Sequence, residues 1–137
     1  MNLSKKIQIQ LPEDVKTKLW FTSDLCSDLW NGALEERTYK RGASRNVYAQ
    51  KRSLVEIKRH LPEYKIPSSQ VIQNVIFSLD RSISSFYAKI KKGDYLANMP
   101  KFKSKEYFFT QEYSQYGTSF TVENNILRLS YGKCPED

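Results

Sequence analysis

The residues best equipped for chemistry in this chain are cations set among aromatic rings. Pro100-Lys101-Phe102-Lys103-Ser104-Lys105 is followed by Tyr107, Phe108 and Phe109, and preceded by Lys89-Ile90-Lys91-Lys92-Gly93. Lysine neutralises phosphate, and a ring beside it can stack on a base or ribose, so a basic stretch threaded with aromatics is suited to a nucleic-acid backbone. The dipole at a helix C-terminus accounts for part of Lys91 and Lys92. It does not account for the second cluster. Consecutive strand residues would point to opposite faces, so Tyr107, Phe108 and Phe109 cannot all be core, and whichever faces outward beside Lys101, Lys103 and Lys105 would be free to stack.

The carboxylates offer less. Glu35, Glu36, Glu56, Glu63, Asp80 and Glu106 are scattered among cations, and no spacing brings three or four of them to a shared pair of metal ions. They read as solvated partners of Lys and Arg, apart from Asp80-Arg81, a polar pair mid-helix that must face solvent or anchor a neighbouring helix. His60, the sole histidine, falls at a helix end beside Lys58 and Arg59 and reads as a cap rather than a catalyst. Cys26 and Cys134 have no metal spacing and read as reduced thiols. Glycines at 32, 42, 93, 117 and 132 assemble neither a phosphate loop nor a dinucleotide fingerprint, so no catalytic residue, metal or cofactor is expected.

Composition agrees with a polyanionic partner. The 137 residues carry formal charge +7 with pI near 9.4, a basicity that comes from Lys and Arg and persists at physiological pH. That length builds one core, with at most a small satellite. The amino terminus lacks an apolar stretch suited to a signal peptide, and no apolar run of ~18 residues could span a bilayer, so no membrane role and an intracellular location are expected.

Several elements must position these groups. Ile7, Ile9 and Leu11 alternate with polar residues over 5–11, which predicts a half-buried strand. A first helix is expected from about Pro12 to about Lys40 on the stripe Val15, Leu19, Thr22, Cys26, Leu29 and Ala33. Ser23-Asp24 and Asn31-Gly32 are weak points where it could bend, and Gly42 is its stop. Trp20 and Trp30 lie on nearby faces of it, at least one as core and the other as a candidate stacking platform. A second helix, capped by Ser44, should run to about His60 with Val47, Leu54, Ile57 and Leu61 inward and Arg45, Lys51, Arg52, Lys58 and Arg59 outward. After a two-proline connector, Val71, Ile72, Val75, Ile76, Leu79, Ile83, Phe86, Tyr87 and Ile90 predict a third helix, the strongest periodic signal present. Tyr107–Tyr113, Ser119–Val122 and Ile126–Tyr131 read as strands, the last two joined through Asn124-Asn125, and residues 133–137 as a frayed tail. The fold class is thus α+β: a three-helix insertion between one early strand and about three late ones in a small antiparallel sheet.

Five segments together resemble the amino-terminal part of the TnpB (OrfB) family, transposon-encoded relatives of the type V CRISPR effectors. They are the opening strand with its helix, Leu29-Trp30-Asn31-Gly32-Ala33-Leu34, Ile66-Pro67-Ser68-Ser69-Gln70-Val71-Ile72-Gln73, Leu79-Asp80-Arg81 with Phe86, and Pro100-Lys101-Phe102-Lys103-Ser104. In order and spacing they cover most of residues 5–131. The resemblance implies an incomplete wedge-type β-barrel made of 1–11 and 100–132, with a helical recognition insertion over 12–99. It implies guide-type RNA and target DNA as partners, and a prokaryotic cytoplasm as the setting. It places Lys101, Phe102, Lys103 and Ser104 nearest the nucleic-acid backbone and makes Gln70, Gln73 and Asn74 polar readers. Family members continue into a RuvC-like nuclease, and neither its acidic triad nor a four-cysteine zinc ribbon can be drawn from this chain, so cleavage is not expected of it. A protein-interaction role through open sheet edges, including a strand-exchanged dimer, is the competing expectation.

Overall fold

The structure, a computed structural model, describes residues 3–38, 46–107 and 110–131. Helix α1 spans Glu13–Thr38, α2 spans Val47–His60 and α3 spans Ser69–Lys91; strands β1 (Phe120–Glu123) and β2 (Ile126–Leu129) form an antiparallel hairpin. The α+β class therefore holds. Arg45, Gly42, Ser44, Phe108, Phe109, Cys134 and the rest of the tail lie outside the described residues.

The core is helical. Leu25, Cys26, Leu29, Trp30 and Leu34 of α1 meet Leu54 of α2, Tyr64 of the connector, and Val71, Ile72, Val75, Ile76, Leu79 and Ile83 of α3. Glu13 and Asp14 in the first turn of α1 and Arg37 in its last match the helix dipole. Asn46 caps α2, its side-chain oxygen accepting from the Ala49 amide at 2.8 Å.

Three polar groups tie the helices together. Gln50, 2% exposed, donates through Nε2 to the Ala33 carbonyl at 3.0 Å, which joins α2 to α1. Arg37 reaches Asp80 on α3 at 3.1 Å, a half-shielded pair, and donates to Gln50 Oε1 at 3.5 Å. Asp80 is thus the anchor that its mid-helix position allowed, while Arg81 faces outward to Glu112 at 3.5 Å. No helix among the described residues is long and apolar enough to cross a membrane.

Two expectations about the sheet need correction. Residues 5–11 form no strand, with Ile7 and Ile9 exposed. Alternation makes a segment competent to pair, but a ladder needs a neighbour whose backbone groups face it, and among the described residues none does. The described part of Tyr107–Tyr113 is not strand either: Lys105–Tyr107 is a 3-10 turn, and residues 110–113 follow an irregular path held by side chains. Asn74 Nδ2 donates to the Glu112 carbonyl at 2.9 Å, and Gln111 Nε2 donates to the Leu19 carbonyl at 2.8 Å and Ser23 Oγ at 3.0 Å. Side-chain amides have taken the place of a ladder.

The hairpin does match its sequence signal. Asn124 and Asn125 have φ of 51° and 61°, the paired left-handed geometry of a type I′ turn. Phe120 faces Leu129 and Val122 faces Leu127, which puts all four on one side. A bridge between Pro67 and Tyr131, and Lys18 lying 5.5 Å from the Tyr131 ring centroid, fasten the hairpin to the helices.

Candidate nucleic-acid interface

Among the described residues, two gatherings of cations with aromatic neighbours differ in their surroundings. The first is a groove of about 400 Å³ between α2 and α3, lined by Tyr48, Lys51, Arg52, Leu54, Val55, Lys58 and Gln73. Positions 48, 51, 52, 55 and 58 recur at three to four residues, so one face of α2 supplies them while Leu54 turns into the core. No lining residue is acidic. Lys51 sits 5.6 Å from the Phe77 ring centroid, and Lys58 Nζ donates to Ser69 Oγ at 3.2 Å, so two ammonium groups are oriented along the groove rather than free to wander. Tyr48 is 64% exposed and Val55 is also open to solvent. Cations, a ring and an amide on one concave surface are the components that bind phosphate, stack on a base and meet its polar edge.

The second place is the strap of residues 101–105, which lies on α1. Trp30 Nε1 donates to the Lys101 carbonyl at 3.0 Å; Ser27 Oγ and Asn31 Nδ2 both donate to the Lys103 carbonyl at 2.8 Å; and the Lys103 amide donates to Asn31 Oδ1 at 2.8 Å. Asn31 thereby makes both backbone bonds that a neighbouring strand would make. Lys103 Nζ stands 4.1 Å above the Trp30 ring and Lys105 lies 3.6 Å from Asp28. With its carbonyl engaged, Lys101 still extends an exposed side chain, as does Phe102 beside it.

The sequence-predicted residues thus separate. Lys51, Arg52, Lys58 and Gln73 come together in the groove. Arg59 is turned aside to Glu56 at 2.8 Å, and His60 lies 3.7 Å from the other oxygen of the same carboxylate. Gln70 and Asn74 hold the late chain, Gln70 Oε1 accepting from Ser114 Oγ at 3.2 Å and Asn74 reaching both Glu112 and Ser114. Lys91 and Lys92 stand exposed where α3 ends. Trp30 is buried and Trp20 half-exposed, as a core ring and a surface ring would be.

Tyr48 and Val55 were missed by sequence reasoning, although their helical spacing from Lys51, Arg52 and Lys58 was available. The track Ser23, Ser27, Asn31 on α1 was missed too. Each of these is a weak helix former, and each is used by the late chain: Gln111 meets Ser23, and Lys103 meets Ser27 and Asn31.

Beneath the strap's footing on α1 the side chains are closed to solvent, with Cys26 0% exposed. Burial pushes the Cys26 thiol up to about 12, and Tyr64 is likewise raised to about 12, first by burial and then by the charges of Asp28, Glu63 and Cys26. Among the described residues no group of three or more His, Cys, Asp or Glu is placed to hold a metal ion. No protein-family model, curated protein or solved structure matches this chain.

Proposed function

We propose that this chain is a noncatalytic nucleic-acid-binding lobe of the TnpB (OrfB) kind, the part of a transposon-encoded, RNA-guided nuclease that grips guide RNA and DNA rather than cutting it. The observation that carries the binding role is the α2–α3 groove, where Lys51, Arg52 and Lys58 line one concavity with Tyr48 and Gln73 and without a carboxylate. A surface of that kind attracts polyanions by counterion release, so its affinity falls steeply as salt rises. The family reading draws support from the way two of its motifs meet: Trp30 and Asn31 of the first hold Lys101 and Lys103 of the last. In this reading β1 and β2 belong to the wedge-type barrel and the helices are its recognition insertion.

The test measures binding of a structured RNA and a duplex DNA at low and moderate salt, for the wild-type chain and for Lys51→Gln/Arg52→Gln/Lys58→Gln. Salt-sensitive binding that the triple variant loses supports the proposal. Salt-independent binding, or a triple variant indistinguishable from wild type, overturns it.

A strand-exchanged dimer is favoured by a separate observation. Ile7 and Ile9 are 70% and 50% exposed, and Val122 and Leu127 leave the hairpin's apolar side partly open, a poor arrangement for a lone two-stranded sheet in water. Light scattering at high concentration decides it: a strict monomer removes this reading.

A further inference from the structure

The C-terminal end of α3 is a built knuckle. Gly93 takes φ of +89°, the Asp94 amide donates to the Lys89 carbonyl at 3.0 Å and the Gly93 amide to the Ile90 carbonyl at 3.0 Å, the two nested bonds of a Schellman cap with glycine in its left-handed position. Asp94 then fixes the exit, its side chain accepting from the Leu96 amide at 3.2 Å and its carbonyl from the Ala97 amide at 3.4 Å. Such caps usually carry an apolar residue at the place Asp94 occupies, packed back onto the helix. Here the apolar residues come one and two positions later and point away from the protein. Tyr95 is 81% exposed and Leu96 is 89% exposed.

A fixed turn that presents a ring and an aliphatic side chain side by side offers a ready contact surface to a partner. The surrounding charge says what that is. Lys89, Lys91 and Lys92 are all exposed in the helix turn on which the knuckle rests. The nearby carboxylate, Asp94, accepts from the Leu96 amide within the knuckle and offsets one of these three charges, so the cations still prevail. The occupant is therefore anionic and presents a flat face.

We propose that Tyr95 is a stacking post for an unpaired nucleotide, with Leu96 adding apolar contact and Lys89, Lys91 and Lys92 neutralising the flanking phosphates. The site is separate from the α2–α3 groove and rests on the nucleic-acid reading only in the class of its ligand. A single strand suits it better than a closed duplex, because base faces within a duplex are already stacked on one another. An anionic membrane is the weaker fit, since one leucine and one tyrosine give a bilayer little apolar surface to take up.

The experiment uses the full chain with fluorescently labelled oligouridylate, oligothymidylate, a blunt duplex of matched charge, and vesicles containing phosphatidylserine. Tyr95→Ala/Leu96→Ser should weaken single-strand binding by ~5- to 150-fold, the range for one lost base–ring stack, with salt dependence unchanged. Duplex binding should not move. Tyr95→Trp should keep the affinity and have its emission quenched by the single strand. Single-strand affinity that survives Tyr95→Ala/Leu96→Ser overturns the proposal, as does an equal loss for duplex and single strand. Vesicle binding that the double variant abolishes while oligonucleotide binding stays intact reassigns the knuckle to a lipid surface. The groove variant Lys51→Gln/Arg52→Gln/Lys58→Gln, measured alongside, separates the two sites: if it leaves all binding intact while the Tyr95 effect persists, the groove fails and the post stands.

Discussion

The α2–α3 groove and the strap at residues 101–105 are both basic and both carry aromatic residues, yet they invest their cations differently. In the groove, Lys51 and Lys58 touch a ring and a hydroxyl, and no carboxylate lines the concavity to neutralise them. On the strap, Lys103 lies over Trp30, Lys105 approaches Asp28, and the backbone between is fastened by Trp30, Ser27 and Asn31. A lysine-rich segment can thus be a piece of architecture. The two regions differ in whether a carboxylate faces the cations: Asp28 meets Lys105 on the strap, and none lines the groove.

Substitution in the groove should matter most. Removing Lys51, Arg52 and Lys58 together should lower affinity for RNA or DNA by more than about tenfold at low salt and flatten the log–log salt slope by about 3, one per lost phosphate contact. Thermal stability should barely move, since exposed substitutions of this sort typically shift it by ~0.5 kcal/mol or less each. If the groove variant instead unfolds, its cations are braces as well.

Asn31→Ala is the mirror experiment. It removes the Nδ2 donor to the Lys103 carbonyl and the Oδ1 acceptor for the Lys103 amide, and should cost about 1–3 kcal/mol in chemical denaturation. Nucleic-acid affinity of the folded fraction should stay near wild type. A loss of affinity with unchanged stability would show that the strap's orientation matters to the ligand.

Alkaline titration probes the interior beneath the strap. The Cys26 thiol and Tyr64 hydroxyl both have folded pKa values raised above their ordinary 9.0 and 10.0, to about 12. The folded state therefore holds protons that the unfolded chain releases. Their contribution is intact below about pH 9 and is lost as pH climbs from 9 to about 12. Denaturation midpoints should fall across that window, less so in Cys26→Ala, and Cys26 should resist alkylation at pH 8 until denaturant is added. The smallest effect belongs to Lys105→Gln: its exposed contact with Asp28 at 3.6 Å should be worth less than ~1 kcal/mol, and a double-mutant cycle with Asp28→Asn would measure it.

Periodicity carried the helical half of this fold because each helix satisfies its own backbone, leaving the apolar stripe to choose the buried face. Val71, Ile72, Val75, Ile76, Leu79 and Ile83 are all buried on α3, where their spacing placed them. Asn124-Asn125 was equally readable, since few residues accept the left-handed geometry that both adopt. Strand reading failed at residues 5–11 and over the described part of 107–113 because pairing depends on a distant neighbour that local alternation does not supply. The site was half-legible for a related reason. The basic face of α2 followed from spacing. That Lys103 and Lys105 would be met by Trp30 and Asp28, more than seventy positions away in the chain, could not follow from any local pattern.

Asn31 is followed by Gly32, the sequence most prone to deamidation through attack of the glycine amide nitrogen on the asparagine side-chain carbonyl carbon, which expels ammonia and leaves a succinimide that water opens. A continuous helix holds that nitrogen away from the line of attack, and the bonds to Lys103 pin the side chain in place. Chemical ageing at this pair therefore proceeds only through transient opening of α1. Once it happens, the new carboxylate has no hydrogen to offer the Lys103 carbonyl, so the strap loosens with the protein's age and the accumulation of aspartate and isoaspartate keeps a record of how often the helix has opened.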